Sequence, residues 1–182
     1  FLPGQKMQSL TEFMTKPADG GAHANVRLDQ YEPGTAMRYS NNGYALLQHV
    51  VEQVTGESFN AYAARAVLRP LSMEHSTFDH EAATAQFLAG FYDADGNESI
   101  HRRYAAVAAS SFYTSSSDLA KFVSAHVDGA NAEPPGRGVL SPLTIAMINQ
   151  VQTPAGSEPW GLGVELFGTA TNPTFGHNGV HF

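Results

Sequence analysis

The segment Tyr39-Ser40-Asn41 places a phenol and a carboxamide directly before the most strongly helical part of the chain. If this segment is extended, Tyr39 and Asn41 project to the same side, because side chains alternate along extended backbone. The two groups would then share one wall of a cleft and offer hydrogen bonds to a bound molecule. A helix N-cap at Ser40 or Asn41 beside a packed tyrosine is the alternative interpretation of so short a motif.

Eight histidines raise the hypothesis of a metal site, but their spacing does not support one. His177 and His181 are four residues apart, which in a strand corresponds to about 13 Å, too far for one ion. No glutamate follows His177 as the H-E-x-x-H motif requires. We therefore expect no metal site and surface or hydrogen-bonded roles for the other histidines, His23, His49, His75, His80, His101 and His126.

Several other chemical patterns are missing from the sequence. There is no cysteine, which excludes thiol nucleophiles, disulfides and zinc-thiolate sites. No G-x-S-x-G elbow and no Walker loop occurs, so a Ser-His-Asp triad built on His177 would lack its elbow serine. The aspartates at 93 and 95 do not make an EF-hand loop, because Gly96 is its fourth residue instead of its sixth. We predict a plain turn there.

The composition is that of one ordinary domain with an apolar core. Of the 182 residues, 42% are hydrophobic and 15% charged, and 10 basic residues against 17 acidic ones give a net charge of −7. The longest basic run is Arg102-Arg103, so we expect neither a nucleic-acid partner nor an anionic membrane surface. No apolar stretch approaches the roughly 20 residues that span a bilayer, so we expect no transmembrane segment.

Two helices are predicted after the Tyr39 segment. Residues 42–55 carry apolar side chains at helical spacing, and Gly56 is a common C-terminal stop. A second helix is predicted over 58–68, with Ser58 as its N-cap. Further along, a hairpin is predicted over 86–103, around the turn at Asp93 to Gly96.

The last third of the chain is predicted to combine two helices with two strands. A capping-box pattern at Ser115 opens a helix to about residue 127, with a buried stripe formed by Leu119, Phe122, Val123 and Val127. Residues 141–150 are predicted as a short helix with Pro142 at its first position. Two strands, joined by a Thr/Asn/Pro turn, are predicted over Gly161 to Phe167 and Thr174 to Phe182.

Five motifs follow one another along nearly the whole chain. They are P-G-T-A-M-R-Y-S-N-N-G-Y at 33–44, E-Q-V-T-G-E-S-F at 52–59, R-P-L-S-M at 69–73, S-D-L-A-K-F at 117–122, and W-G-L-G at 160–163 with F-G-H-N-G at 175–179. In this order they resemble the serine β-lactamase and penicillin-binding protein superfamily, in the branch of class C β-lactamases, D-alanyl-D-alanine carboxypeptidases and related esterases. The chain departs from the usual pattern at Ser72 and at Ser110-Ser111, where the family has glycines.

The resemblance implies an α+β, β-lactamase/transpeptidase-like fold, in which a mostly helical subdomain carries Y-x-N and part of an antiparallel sheet carries H-x-G. Residues 1–182 would be the central part of one such catalytic domain. The implied reaction is serine acyl hydrolysis through an acyl-enzyme, without a cofactor, on D-alanyl peptides, β-lactams or small esters. A periplasmic or secreted location is implied as well; the lack of cysteine fits it, but many cytosolic chains also lack cysteine.

The resemblance also implies roles for individual residues. Tyr39 would take or relay the proton of the attacking serine and return it to the leaving group. Asn41 would hydrogen-bond the substrate amide. His177, Asn178 and Gly179 would bind the substrate beside the acyl group, with His177 as a titratable cation where related enzymes carry the lysine of K-T-G.

The family's nucleophile motif, S-x-x-K, does not occur in these 182 residues. The residues three positions before the lysines are not serines: Pro3 precedes Lys6, Phe13 precedes Lys16 and Asp118 precedes Lys121. Because the chain also starts at Phe1 without a leader, we expect a middle piece of a catalytic domain that is inactive alone, with a partner segment or chain supplying S-x-x-K. The rival interpretation is a non-catalytic protein that binds peptidoglycan or peptides on the same scaffold.

Overall fold

The computed structural model describes residues 2, 4–16, 32–86, 88–169 and 172–179. The chain divides into two units, one made of Phe1–Arg27 and Ser40–Phe122 and the other of Leu28–Tyr39 and Val123–Phe182. The first unit is helical and the second carries an antiparallel pair of strands. In the described residues, no helix has both the length and the apolar character needed to cross a membrane.

The first unit contains one longer helix, α2 (Asn41–Thr55), and several short ones. The short helices are α1 (Leu10–Thr15), α3 (Phe59–Ala63), α4 (His80–Ala85) and α5 (Val107–Ser110). The long helix, α2, packs against α1, α3 and α5. Gln48 of α2 is buried, and it donates to the Ala105 carbonyl and accepts from the Ala108 N–H, which ties α2 to the start of α5.

Helix ends in this unit lie where the sequence predicts them. The helix predicted over 42–55 is α2, and it ends at Gly56, whose φ of 70° is left-handed backbone that favours glycine. Ser58 caps α3 by accepting from the N–H of Ala61 at 3.3 Å. After α3 the chain continues as a π-helical turn over Ala64–Leu68, so together they fill the range predicted as one helix.

The buried side chains are mostly small, and several large apolar ones are exposed. The core consists of Ala45, Ala63, Leu68, Met73, Ala83, Ala105 and Ala106 in the first unit and Ala125 and Ile145 in the second. In α6 (Ser116–Ser124) and just after it, the predicted buried stripe is wrong, because its four side chains are 39% to 49% exposed.

The second unit holds α7 (Pro142–Ile148) and the strands β1 (Glu165–Thr169) and β2 (Asn172–Gly176). The strands pair antiparallel, with Leu166 opposite Phe175. The predicted pair is therefore confirmed, but with other bounds: β1 starts later than expected, and β2 starts two residues early and ends at Gly176. Residues 161–164 form a tight turn instead, in which the Gly161 N–H donates to the Val164 carbonyl at 2.8 Å. The predicted continuation of β2 beyond 179 lies outside the described residues.

The region predicted as a hairpin over 86–103 forms less regular structure than expected. A single antiparallel bridge joins Tyr92 and Glu98. The turn between them is confirmed, since Oδ1 of Asp93 accepts from the N–H groups of Asp95 and Asn97. Phe87, at the start of the prediction, lies outside the described residues.

Candidate functional site

Ser40 is the N-cap of α2, and this local geometry separates the two ends of the Y-x-N motif. Ser40 has extended backbone, with φ −153° and ψ 111°, and its hydroxyl accepts from the N–H of Gly43 at 3.1 Å. Asn41 is already the first residue of the helix and is exposed. Because Asn41 is helical, its side chain does not follow the alternation of extended backbone that would place it on the same side as Tyr39.

Tyr39 is an exposed ring that contacts two other rings of the second unit. Its side chain is 60% exposed, so it is not the packed tyrosine of the alternative interpretation. Its ring centroid lies 6.1 Å from that of Trp160 and 5.9 Å from that of His177. Trp160 and His177 are 5.4 Å apart, with their planes at 77°. We call these three side chains the aromatic trio.

The strand pair explains why Trp160 and His177 lie together. Glu165, the first residue of β1, pairs with Gly176 on one side and forms an antiparallel bridge with Trp160 on the other. Gly176 ends β2 and His177 follows it directly. Trp160 and the start of the H-x-G motif are thus adjacent because both flank the same residue of β1.

The hydrogen bond of His177 fixes which of its ring nitrogens carries a proton. Nδ1 lies 2.6 Å from the carbonyl oxygen of Asn178. A carbonyl can only accept, so Nδ1 must donate and the neutral ring carries its proton there. Nε2 is then an acceptor when His177 is neutral and a donor only when the ring is cationic. Asn178 in turn donates to Glu165 at 3.4 Å, which links the motif back to β1.

The structure thus unites some of the residues chosen from the sequence. Tyr39 and His177 belong to one aromatic cluster, with Asn178 directly beside it. Gly179 is exposed and follows the same strand. Asn41 belongs to the first unit.

Trp160 is the member of the cluster to which the sequence assigned no role. The signal that could have marked it is an aromatic residue just before a Gly-x-Gly turn that opens a strand.

The described residues contain no group of three or more histidine, aspartate or glutamate side chains that could hold a metal ion. Two histidines do lie together in a cluster with Tyr113: the Nδ1 atoms of His80 and His101 are 3.0 Å apart. The Tyr113 hydroxyl is 3.2 Å from Nδ1 of His101 and 3.4 Å from its Nε2.

Sequence comparison decides the family. The profile of the β-lactamase family matches residues 22–182. The chain belongs to the β-lactamase family. The resemblance found in the five motifs is therefore confirmed. The family to which the chain belongs is one of hydrolases.

Similar proteins support the assignment. A protein of Escherichia coli K12, named by inference as a D-alanyl-D-alanine carboxypeptidase, is 38% identical over 50 residues, which are 28% of this chain and 12% of that protein. The octameric penicillin-binding protein homologue from Pyrococcus abyssi superposes with a TM-score of 0.65 at 25% identity, covering 81% of this chain and 34% of that one. A β-lactamase/D-alanine carboxypeptidase from Pseudomonas syringae superposes with a TM-score of 0.66 at 16% identity, covering 93% and 44%.

These likenesses confirm the predicted fold class. The β-lactamase-family chain has the helices and the small antiparallel sheet of a β-lactamase/transpeptidase-like domain. It covers less than half of either solved structure and a smaller share of the curated relative.

Proposed function

We propose that the complete protein is a serine acyl hydrolase which cleaves D-alanyl peptides or small esters, and less readily β-lactams, through an acyl-enzyme. The observation that carries the proposal is the meeting of Tyr39 and His177, one from each of two family motifs, at a ring separation of 5.9 Å. The H-x-G form of the second motif favours a peptidase or esterase over a dedicated β-lactamase. Residues 1–182 would be the central part of the catalytic domain, and an S-x-x-K segment outside them would supply the nucleophile.

In the proposed reaction the serine oxygen attacks the acyl carbon and gives up its proton towards Tyr39, as an activated nucleophile must. The bond to the leaving group breaks, and Tyr39 returns that proton to the departing nitrogen or oxygen. Water then attacks the acyl-enzyme and releases the acid. The exposed phenol of Tyr39 suits this role because it is open to a substrate. Asn41 would hydrogen-bond the substrate amide, and Asn178 and Gly179 would line the acyl group.

His177 would recognise a carboxylate on the substrate. Its Nδ1 is engaged by the Asn178 carbonyl, so Nε2 becomes a donor only when the ring is protonated. The cationic form therefore offers both a charge and a hydrogen bond to a carboxylate, whereas the neutral form offers neither. This makes His177 a conditional version of the lysine in the K-T-G form of the motif. Peptidoglycan-like substrates are extracytoplasmic, so we propose a periplasmic or secreted location.

The test uses the full-length protein and a variant in which the serine of its S-x-x-K is alanine. We expect hydrolysis of p-nitrophenyl acetate and of an acyl-D-alanyl-D-alanine peptide, a covalent adduct with a fluorescent penicillin detected by mass spectrometry, and loss of all three in the variant. Ligand binding without turnover or adduct would favour the non-catalytic binding protein instead.

The 182-residue chain is the matched control. It contains Tyr39 and His177 but no S-x-x-K, so its hydrolysis of nitrocefin and p-nitrophenyl acetate should stay at background. Turnover by this chain, abolished by replacing one of its own serines, would contradict the inference that the nucleophile lies elsewhere.

A further inference from the structure

We propose that Trp160 is a specificity-determining residue which binds a planar apolar side chain on the leaving residue of the substrate. This inference rests on the proposed function and adds a substrate class to it. Its starting point is the position of the indole, whose centroid is 6.1 Å from the Tyr39 ring and 5.4 Å from the His177 ring. The third member of the aromatic trio thus lies beside both proposed reactive groups.

The position of Trp160 beside both groups indicates which part of a substrate it contacts. Tyr39 would give its proton to the leaving group, and His177 would bind the carboxylate at the end of that group. The leaving residue would therefore run past both side chains, with its own side chain nearest the indole. A methyl group there would contact little of the half-buried indole, whereas an aromatic ring would cover more of its open part.

The backbone around Trp160 is held on both sides, which limits where the indole can lie. The Trp160 N–H donates to the Thr153 hydroxyl at 3.3 Å, and the Trp160 carbonyl accepts from the Gln152 N–H at 2.7 Å. The Leu162 N–H donates to the Ile148 carbonyl at 3.0 Å. A surface ordered in advance loses little freedom when a ligand binds, so its contacts convert efficiently into affinity.

The chemistry of Trp160 and Tyr39 favours a flat apolar group over a charged one. Indole and phenol are uncharged rings, and aromatic rings pair well in stacked or edge-to-face geometry. The nearest described carboxylate in the strand pair, Glu165, already accepts from Asn178. We therefore expect a leaving residue such as D-phenylalanine to be preferred over D-alanine by about tenfold in kcat/KM, the scale of added apolar contact in a binding site.

The first experiment compares three peptides on the full-length enzyme, with one acyl donor and D-alanine, D-phenylalanine or D-cyclohexylalanine as the leaving residue. Cyclohexylalanine matches the bulk of phenylalanine without a planar ring. In Trp160→Leu we expect kcat/KM for the D-phenylalanine peptide to fall about tenfold more than kcat/KM for the D-alanine peptide. Trp160→Phe, which keeps a ring, should retain most of the preference. Equal losses for all three peptides would overturn the proposal and assign Trp160 a purely structural role.

A second measurement separates this proposal from the proposed hydrolysis. Trp160 is the single tryptophan of the chain, so the emission difference between the wild-type protein and Trp160→Phe reports on this residue in the full-length protein. Titration with the D-phenylalanine peptide should change that difference signal at lower concentration than the D-alanine peptide. A response without turnover supports Trp160 as a binding residue and overturns the hydrolase. Turnover with no response, or with equal responses, overturns the role of Trp160 and leaves the hydrolase in place.

Discussion

The rings of Tyr39 and His177 lie 5.9 Å apart, although Tyr39 ends the Leu28–Tyr39 segment of the second unit and His177 follows its last strand. The Y-x-N and H-x-G motifs therefore meet through side chains, although no single helix or strand contains both. Because both side chains are exposed, the contact leaves them open to a third molecule. The proposed acid–base group and the proposed carboxylate-binding group can therefore act on one substrate.

Removing the hydroxyl of Tyr39 should affect the reaction far more than the fold. In the full-length protein we expect Tyr39→Phe to lower kcat by roughly 10²–10⁴, the usual scale for a positioned acid–base group. The melting temperature should change little, because the ring is retained and the hydroxyl is on an exposed side chain. Tyr92→Phe removes a hydroxyl from another exposed tyrosine and should leave kcat unchanged. An unaltered kcat in Tyr39→Phe would show that Tyr39 contributes packing alone.

His177 should make recognition of a carboxylate depend on pH. A cationic ring would offer both its charge and a donor at Nε2, and a neutral ring would offer neither. KM for a peptide with a free terminal carboxylate should therefore rise with increasing pH, while KM for its methyl ester should not. Among the described residues, Tyr39 and, through Asn178, Glu165 are ionisable side chains near the ring.

His177→Lys tests the same idea with a permanent cation. The pH dependence of KM for the carboxylate peptide should flatten in this variant, although the longer side chain will place its charge differently. The matched variant is His49→Lys, which changes a histidine of α2 in the other unit and should leave both profiles unaltered. Parallel profiles for the carboxylate and the ester in the wild-type enzyme would exclude recognition of charge by His177.

Local sequence signals predicted the parts of the fold that depend on neighbouring residues. The cap at Ser58 and the stop at Gly56 each act within a few residues, and both are confirmed. Burial depends on distant parts of the chain, which is why an apolar spacing in α6 wrongly predicted buried side chains. The role of Trp160 was missed for the same reason, since its neighbours come together through the pairing of Glu165 on both sides.

A buried carboxylate, Asp118 of α6, should stabilise the first unit in a pH-dependent way. It accepts from the His75 N–H at 2.7 Å, the Ser76 hydroxyl at 2.9 Å and Lys121 at 2.8 Å. Burial alone would raise the pKa of Asp118, but these hydrogen bonds outweigh it and hold the pKa below its usual range. The ionised form therefore favours the folded state. Its stabilisation is complete above the ordinary carboxyl range near about pH 4 and is lost as the pH falls through the lower folded-state pKa.

Asp118→Asn should accordingly destabilise the protein by about 3 kcal/mol at neutral pH, since it leaves buried donors and Lys121 without their anion. The difference in melting temperature between wild type and variant should stay constant from about pH 7 to 5 and shrink below about pH 4. Asp128→Asn changes an exposed carboxylate and should have little effect at any pH. If the difference in melting temperature between wild type and Asp118→Asn does not change with pH, then the shape of the Asp118 side chain, and not its charge, accounts for the stabilisation.

Gly161 should be required for the position of Trp160. A Cβ on Gly161 would lie 2.0 Å from the Ile148 carbonyl oxygen and 3.0 Å from Cγ2 of Val164, so the backbone must shift to accept any other residue. That carbonyl also accepts from the Leu162 N–H, one of the hydrogen bonds that hold the turn. We expect Gly161→Ala to lower stability by about 1–3 kcal/mol, the usual cost of inserting a methyl group into a close-packed site.

The same shift should displace the indole, so Gly161→Ala should also weaken the preference for a D-phenylalanine leaving residue. Gly43→Ala is the matched control, because its Cβ would meet nothing closer than the Ser40 Cβ at 3.8 Å and alanine is the better helix former in α2. Stability would be measured by thermal denaturation of the full-length protein, and the preference by the ratio of kcat/KM for the two peptides. Loss of stability in Gly161→Ala with an intact preference would show that the turn supports the fold without positioning Trp160. Normal stability would mean that Ile148 moves away at little cost, and that the close approach at Gly161 does not constrain the site.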